Sequence, residues 1–195
     1  NVSFVIYAYD NAGNVVTTTS DNLDVDNELP VISVFGTIAV QTDNNADDIG
    51  AIGDTLQLAA GTEDTGDTVT WLVDLSTVTN QSSIAAGEES NPIIEGDVDT
   101  ASSTFIVTVT DNAGNSVTST SGVISIDNRP PYAVHGGGID VATDLDGNNI
   151  AAIGDTVVFT TGLLYDADTI TSWTVNLSDL TGQSVLAAGV TSTAI

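Results

Sequence analysis

The chain has 195 residues, of which 27 are acidic and one, Arg129, is basic, so its formal net charge at pH 7 is -26. Phosphate binding needs a basic face, so this charge excludes a nucleic-acid partner and disfavours anionic membranes. Hydrophobic residues make up 41% of the chain and fall in short runs of valine, isoleucine and leucine, which argues against a disordered acidic segment.

The first predicted element is a β-hairpin within residues 1–27. Its sequence FVIYAYDNAGN at Phe4–Asn14 returns as FIVTVTDNAGN at Phe105–Asn115, so the chain contains an internal repeat. The segments on either side of DNAGN are apolar or β-branched and predict strands. The DNAGN segment itself predicts a tight turn, with Gly13 or Gly114 in the left-handed conformation.

A proline-containing linker follows each hairpin, Asp26-Asn27-Glu-Leu-Pro30 and then Asp127-Asn128-Arg-Pro-Pro131. Proline stiffens a linker and cannot donate a ladder hydrogen bond. The linkers predict three parts: residues 1–27 as the last hairpin of one repeat, 28–128 as a complete repeat, and 129–195 as the first two-thirds of another.

The tryptophan strands show that the repeat has a one-residue slip. In the strand around each tryptophan, apolar residues alternate with less apolar ones. Trp71 and Trp173 are 102 residues apart, one more than the repeat length of about 101. An insertion ahead of the strand keeps the same side chains facing inward, which predicts a core position for both tryptophans. No segment has a helical period. Short strands separated by turns therefore predict an all-β protein of tandem immunoglobulin-like β-sandwich repeats of about 101 residues.

Three motifs in this order carry a resemblance: TDNAGN at 110–115, the linker at 127–131, and IGDT at 52–55 and 153–156. The chain resembles the Ig-like, cadherin-like tandem repeats of large bacterial and archaeal surface proteins such as S-layer proteins and adhesins. The resemblance implies an extracellular, cell-surface rod of stacked domains, often rigidified by calcium. The lysine–asparagine isopeptide bond of many adhesins is impossible here because the chain has no lysine.

Oxygen-bearing side chains alternate in a loop before each IGDT motif, and aspartate is the short carboxylate of calcium loops. Alternation at i, i+2 and i+4 points successive oxygens at one centre, and a further acid follows in each copy at the position where an EF-hand loop closes. The predicted Ca²⁺ ligands are Asp43, Asn45, Asp47 and Asp54 in one copy, and Asp144, Asp146, Asn148 and Asp155 in the other. A solvated acidic turn is the alternative, because the sixth position is Asp48 or Asn149 instead of glycine.

The linkers are the second candidate for calcium. Asp26 and Asn27, with Asp127 and Asn128 in the next copy, are placed to hold an ion between domains, although Asp-Asn also caps turns without a metal. A weaker set recurs before the tryptophan strand: Asp64, Asp67, Asp166 and Asp168.

Nothing in the sequence predicts an enzyme. His135-Gly-Gly-Gly138 resembles the oxyanion loop of some lipases, but the chain has no Gly-x-Ser-x-Gly and no second histidine. Asn80 and Asn176 begin glycosylation sequons, so glycans are expected there. No apolar run is long enough for direct membrane insertion.

These observations predict a structural surface protein, an S-layer, fibre or adhesin stalk, whose partners are neighbouring repeats or copies of itself. The alternative is an extracellular filament formed by β-strand exchange, in which hairpin 1–27 completes the partial repeat 129–195 of a neighbouring chain. A carbohydrate-binding module is disfavoured because the chain has only two tryptophans and four tyrosines.

Overall fold

A computed structural model describes residues 1–64, 66–99, 101–166, 170 and 172–195. Strands account for 45% of the chain and helices for 4%, which confirms the all-β expectation. The chain divides into two compact units. The first comprises Asn1–Ala39, Gln57–Ser90 and Thr104–Val123, and the second comprises Val40–Leu56, Asn91–Ser103 and Ile124–Ile195.

The strands are short, and across the described ranges they are β1 (Val5–Tyr9), β2 (Val15–Thr19), β3 (Ile32–Val34), β4 (Thr37–Thr42), β5 (Gly50–Ala51), β6 (Thr55–Ala59), β7 (Thr62–Glu63), β8 (Val69–Asp74), β9 (Ile84–Ala85), β10 (Ala101–Ser103), β11 (Ile106–Asp111), β12 (Ser116–Thr120), β13 (Ile124–Asp127), β14 (Tyr132–His135), β15 (Gly138–Thr143), β16 (Thr156–Thr160), β17 (Leu163–Tyr165), β18 (Thr174–Leu177) and β19 (Gln183–Ala187).

The main sheet of the first unit has the strand order β12-β11-β8-β9. Strand β11 pairs antiparallel with β8, so that Val109 lies opposite Trp71 and Val107 lies opposite Val73. All four side chains are buried, because alternate residues of a strand point to the same face. The predicted core position of Trp71 is therefore confirmed.

Two hairpins, β1–β2 and β11–β12, share one turn. In the second, both oxygens of Asp111 accept hydrogen bonds from Asn115, at 2.8 Å from the backbone N–H and 3.0 Å from the side-chain amide. The equivalent bonds from Asn14 to Asp10 measure 2.8 and 2.7 Å. Gly13 and Gly114 have φ of +89° and +96°, as the sequence predicts. The strand registers of the two hairpins also agree.

In the second unit, β13 pairs with β10 and lies parallel to β5, so that Ile126 is opposite Gly50. A Cβ atom at position 50 would lie 2.7 Å from Cδ1 of Ile126 and 2.9 Å from Cδ1 of Ile93. Glycine at this position is therefore what lets both isoleucines fill the core.

The segment from residue 132 onwards forms the pairs β14–β17, β15–β16 and β18–β19 around Val157, Leu177 and Leu186. Thr174 lies opposite Ala187 just as Leu72 lies opposite Ala85, which confirms the one-residue slip. Trp173 differs from expectation, because it is only half-buried.

Two single-turn helices, α1 (Ser76–Thr79) and α2 (Ser178–Thr181), follow the tryptophan strands. They end at Asn80 and Gly182, both in the left-handed conformation. The sequence did not predict them, because four residues are too few to show a helical period. Within the described residues, no helix is long and apolar enough to span a bilayer.

Candidate metal centre

The loop between β4 and β5 is organised around Asp43. Its carboxylate accepts hydrogen bonds from the backbone N–H of Ala46 at 2.7 Å and of Asp48 at 2.9 Å. In the second copy, Asp144 accepts equivalent bonds from Gly147 at 2.7 Å and Asn149 at 2.6 Å. The aspartate predicted as the first calcium ligand of each loop therefore fixes the conformation of the loop backbone through hydrogen bonds.

These hydrogen bonds lower the pKa of both aspartates. The backbone amide of Asp48 makes the largest contribution at Asp43, and the amide of Asn149 does so at Asp144. Donors that favour the ionised form keep a carboxylate charged at lower pH than usual. Both side chains are therefore ionised at neutral pH.

The sixth loop position shares one feature with an EF-hand. Asp48 and Asn149 have φ of +61° and +58°, the left-handed conformation that glycine supplies in an EF-hand loop. Asparagine and aspartate tolerate this conformation better than other non-glycine residues. The absence of glycine at this position therefore does not prevent the loop from curling.

The closing acids, Asp54 and Asp155, are each only 1% exposed. Asp54 accepts hydrogen bonds from the backbone N–H of Asn44 and of Ala51, both at 2.9 Å, and from the Asn44 side-chain amide at 2.8 Å. Asp155 accepts the equivalent backbone bonds from Leu145 at 2.9 Å and Ala152 at 2.8 Å. Both carboxylates tie the two ends of the loop together.

The remaining loop residues pair locally. The Asn45 side-chain amide donates to Asp47 at 3.0 Å, and the Asn148 amide donates to Asp146 at 2.8 Å. Across the described part of the chain, the carboxylates of neither loop form a group of three within metal-binding distance of one another. Calcium binding at these loops stays a prediction.

The linker residue Asn128 is 1% exposed, and both the nitrogen and the oxygen of its side-chain amide are hydrogen-bonded. Its Nδ2 donates to the carbonyl of Ile94 at 3.0 Å, and its Oδ1 accepts from the backbone N–H of Val98 at 3.0 Å. A Cβ on Gly96 would lie 2.6 Å from Asn128 Nδ2, so glycine gives this side chain its space. The equivalent Asn27 is exposed, and Asp26 accepts a bond from the N–H of Glu28 at 3.1 Å.

Three carboxylates meet beside this linker. Asp99, Asp127 and Asp166 each offer one oxygen, and these oxygens all lie within 4.8 Å of one another. Ca²⁺–oxygen bonds are about 2.3–2.6 Å, so ligands on opposite sides of one ion are roughly 5 Å apart. The spacing fits a calcium ion whose remaining ligands come from water or backbone. All three side chains are half-buried.

Arg129 is the counter-ion of this cluster. Its Nη1 lies 3.5 Å from Asp99, and its guanidinium lies 5.8 Å from the ring centroid of Tyr132, which stacks on Tyr165. Three carboxylates against one guanidinium leave a net charge of -2 at the cluster. An open cleft of about 500 Å³ adjoins it and is lined in part by Asp127, Arg129 and Asp166.

The sequence pointed to Asp127 and, more weakly, to Asp166, but not to Asp99. Asp99 closes an alternating acidic run, Glu95, Asp97 and Asp99, and this run was the available signal. Of the weaker predicted set, Asp64 accepts a bond from Ser33 at 2.8 Å, whereas Asp168 lies outside the described residues.

Comparison with models of known protein families, with curated proteins and with solved structures gave no match to this chain.

Proposed function

We propose that this chain is a structural segment of an extracellular, cell-surface protein, an S-layer, fibre or adhesin stalk, built from calcium-rigidified Ig-like β-sandwich repeats. It carries no catalytic activity in this proposal. Its work is mechanical, because stacked domains with stiff junctions transmit force and hold a fixed spacing.

The duplicated hydrogen bonding supports the repeat. Ile93 and Ile195 each donate their backbone N–H to the carbonyl of the closing aspartate, at 2.7 Å to Asp54 and 2.9 Å to Asp155. Each isoleucine carbonyl accepts in turn from the glycine before that aspartate, at 2.9 and 3.2 Å. Two segments about a hundred residues apart that repeat such contacts are best explained as copies of one domain.

The convergence of Asp99, Asp127 and Asp166 is the observation that carries the proposal. Asp127 belongs to the proline linker, Asp99 to the segment before β10, and Asp166 to the segment after β17. A calcium ion bound to all three would join segments on both sides of the linker and remove their mutual repulsion. The junction would then be stiff with calcium and loose without it.

The loops around Asp43 and Asp144 are proposed as further calcium ligands. Each carboxylate oxygen has two lone pairs, so an oxygen that accepts one amide N–H can still bind a cation. Asn80 and Asn176 are both exposed and are proposed to carry glycans.

The test is calcium titration of residues 1–195 by calorimetry, combined with thermal melts in calcium, in magnesium and in chelator. Extracellular modules bind calcium with Kd of about 10⁻⁴ to 10⁻³ M. At a hundredfold excess over Kd, one site adds roughly 2.7 kcal/mol to the free energy of unfolding. A calcium-specific rise in melting temperature is therefore expected.

Asp127→Asn and Asp166→Asn are expected to weaken this binding, and Asp97→Asn is the matched control. Asp97 is exposed, lies two residues from Asp99, and loses the same charge without belonging to the cluster. Equal calcium response in all three variants would refute the site, and no calcium response in the parent chain would refute the calcium account altogether.

A further inference from the structure

Two of the four tyrosines of the chain meet beside the second linker. Tyr132 in β14 lies opposite Tyr165 in β17, and their rings stack with centroids 5.5 Å apart and planes inclined by 27°. The small number of aromatic residues disfavours a carbohydrate-binding module at the level of sequence. A single site needs only a few rings, however, and the fold brings two of them together here.

Both rings are open to solvent, with Tyr132 51% exposed and Tyr165 57% exposed. The equivalent residues of the first copy are Val31 and Asp64, and the backbone N–H of Asp64 donates to the carbonyl of Val31 at 2.9 Å. Those two residues are exposed as well, although the chain continues on both sides of the first copy. Exposure is therefore a property of these positions in the fold.

The fold does not require tyrosine at either position. The equivalent strand pair of the first copy forms with a valine and an aspartate there. The neighbouring linker position changes too, from Glu28 in the first copy to Arg129 in the second. The copies keep the IGDT motif and the Asp-Asn of the linker but differ at all three of these positions. Such clustered differences are typical of a site added to a common scaffold.

The two rings line an open cleft of about 290 Å³, whose other lining residues are Asp99, Arg129 and Asp166. All five residues belong to the second compact unit. Small-molecule sites begin at about 300 Å³, so the cleft suits a small unit such as one ring of a larger molecule. Its walls offer aromatic surface, carboxylate acceptors and guanidinium donors.

The charges around the cleft decide which class of ligand suits it. The three carboxylates and the one guanidinium leave a net charge of -2, which repels an anionic ligand. The place of an organic cation is already taken, because the Arg129 guanidinium lies 3.5 Å from Asp99 and 5.8 Å from the ring centroid of Tyr132. These contacts favour a neutral ligand with an apolar face and several hydroxyl groups.

We propose that this cleft binds a neutral carbohydrate. The C–H groups on one face of a sugar ring pack against the exposed surface of Tyr132 and Tyr165. Sugar hydroxyls donate to Asp99 and Asp166 and accept from Arg129, in charge-assisted hydrogen bonds that are roughly twice as strong as neutral ones. The rings and the guanidinium are not metal ligands, so the proposal is tested in chelator and is separate from the calcium account.

The experiment is a titration of residues 1–195 with neutral oligosaccharides in chelator, followed by saturation-transfer NMR. The probes are cellohexaose, maltohexaose, mannohexaose and chitohexaose, with dextran sulfate as an anionic probe and hexa-arginine as a cationic one. At least one neutral probe should bind, and dextran sulfate should not. If no neutral probe binds, or if hexa-arginine is the one probe whose binding the tyrosine variants abolish, the proposal is wrong.

The tyrosine variants use side chains that the first copy carries or nearly carries. Tyr132→Val introduces the residue at position 31, and Tyr165→Asn introduces the neutral counterpart of Asp64, so urea unfolding should show that both variants fold. Each should weaken binding about tenfold, which corresponds to about 1.4 kcal/mol of lost ring contact. Tyr9→Val is the matched control, because Tyr9 is 71% exposed and lies outside the cleft. Equal weakening in the control would overturn the proposal.

Arg129→Gln tests the choice of a neutral ligand. Glutamine keeps a hydrogen-bond donor for a sugar hydroxyl but vacates the place of the cation beside Asp99 and Tyr132. Hexa-arginine should therefore displace the bound oligosaccharide from this variant at a concentration about tenfold lower than from the parent chain. Displacement at the same concentration from both proteins would refute the argument that Arg129 reserves the cleft for neutral ligands.

Discussion

Replacing Asp54 by alanine is expected to lower the free energy of unfolding by about 3 to 6 kcal/mol. The carboxylate is almost fully buried and accepts two backbone N–H bonds, from Asn44 and Ala51, both at 2.9 Å. A hydrogen bond to a charged acceptor contributes roughly 1.5–3 kcal/mol, and two of them give the stated range. The third bond, from the exposed Asn44 side chain, is left out because that amide can bind water instead.

The measurement is urea unfolding of residues 1–195, followed by circular dichroism in chelator and again in calcium. The control is Asp97→Ala, which removes the same charge from an exposed position and should change the free energy by less than about 0.5 kcal/mol. Asp155→Ala should repeat the effect in the second copy, because its two backbone bonds are equivalent.

The two solvent conditions separate two roles for Asp54. If Asp54 only holds the loop backbone, the substitution should lower the free energy of unfolding equally with and without calcium. If Asp54 is also a metal ligand, the loss should be larger in calcium. A loss below about 1 kcal/mol in chelator would refute the role in holding the loop, whatever the result in calcium.

Three further perturbations follow from the same contacts. Asn128→Ala removes a buried side chain that bonds the half-buried Val98 N–H and the carbonyl of the exposed Ile94, and should destabilise the protein by about 1–3 kcal/mol in the urea assay. Burial raises the pKa of Asp111, but the hydrogen bonds that its carboxylate accepts within the turn outweigh burial and hold the pKa below its usual value. The ionised carboxylate therefore stabilises the folded protein above about pH 4, and this stabilisation is lost as the pH falls through the lowered pKa. The difference in melting temperature between the parent chain and Asp111→Asn should therefore shrink below about pH 4, and a constant difference would contradict this. Gly61→Ala places a Cβ against the Val34 carbonyl and should destabilise by at least about 1–3 kcal/mol in thermal melts.

The local parts of the fold could be predicted from sequence because their signals are local. The DNAGN turn needs only a glycine in the left-handed conformation and an aspartate that accepts hydrogen bonds from nearby N–H groups, and the sequence shows both residues. The strand around Trp71 shows its alternation directly. The repeat extends the turn prediction to a second position, whereas the core prediction fails at Trp173, which is only half-buried.

The non-local parts could not be predicted in this way. Asp99 reaches the cluster only because the chain folds back on the linker, and no spacing in the sequence encodes that approach. The same holds for Asn128, whose partners lie 30 and 34 residues away. Asp54 looked like a calcium ligand because of its distance from Asp43, whereas its burial against two backbone amides depends on the folded loop.

Arg129, which contacts Asp99 and Tyr132, has one more consequence. It is the single basic side chain of the sequence, and Pro130 follows it. Proteases of the trypsin type select lysine or arginine through an acidic specificity pocket, and a proline on the leaving side blocks cleavage because its ring replaces the amide N–H and fixes φ. The 195 residues therefore contain no ordinary tryptic cleavage site, whether folded or unfolded. Their resistance to trypsin follows from the amino-acid sequence and does not depend on the stability of the fold.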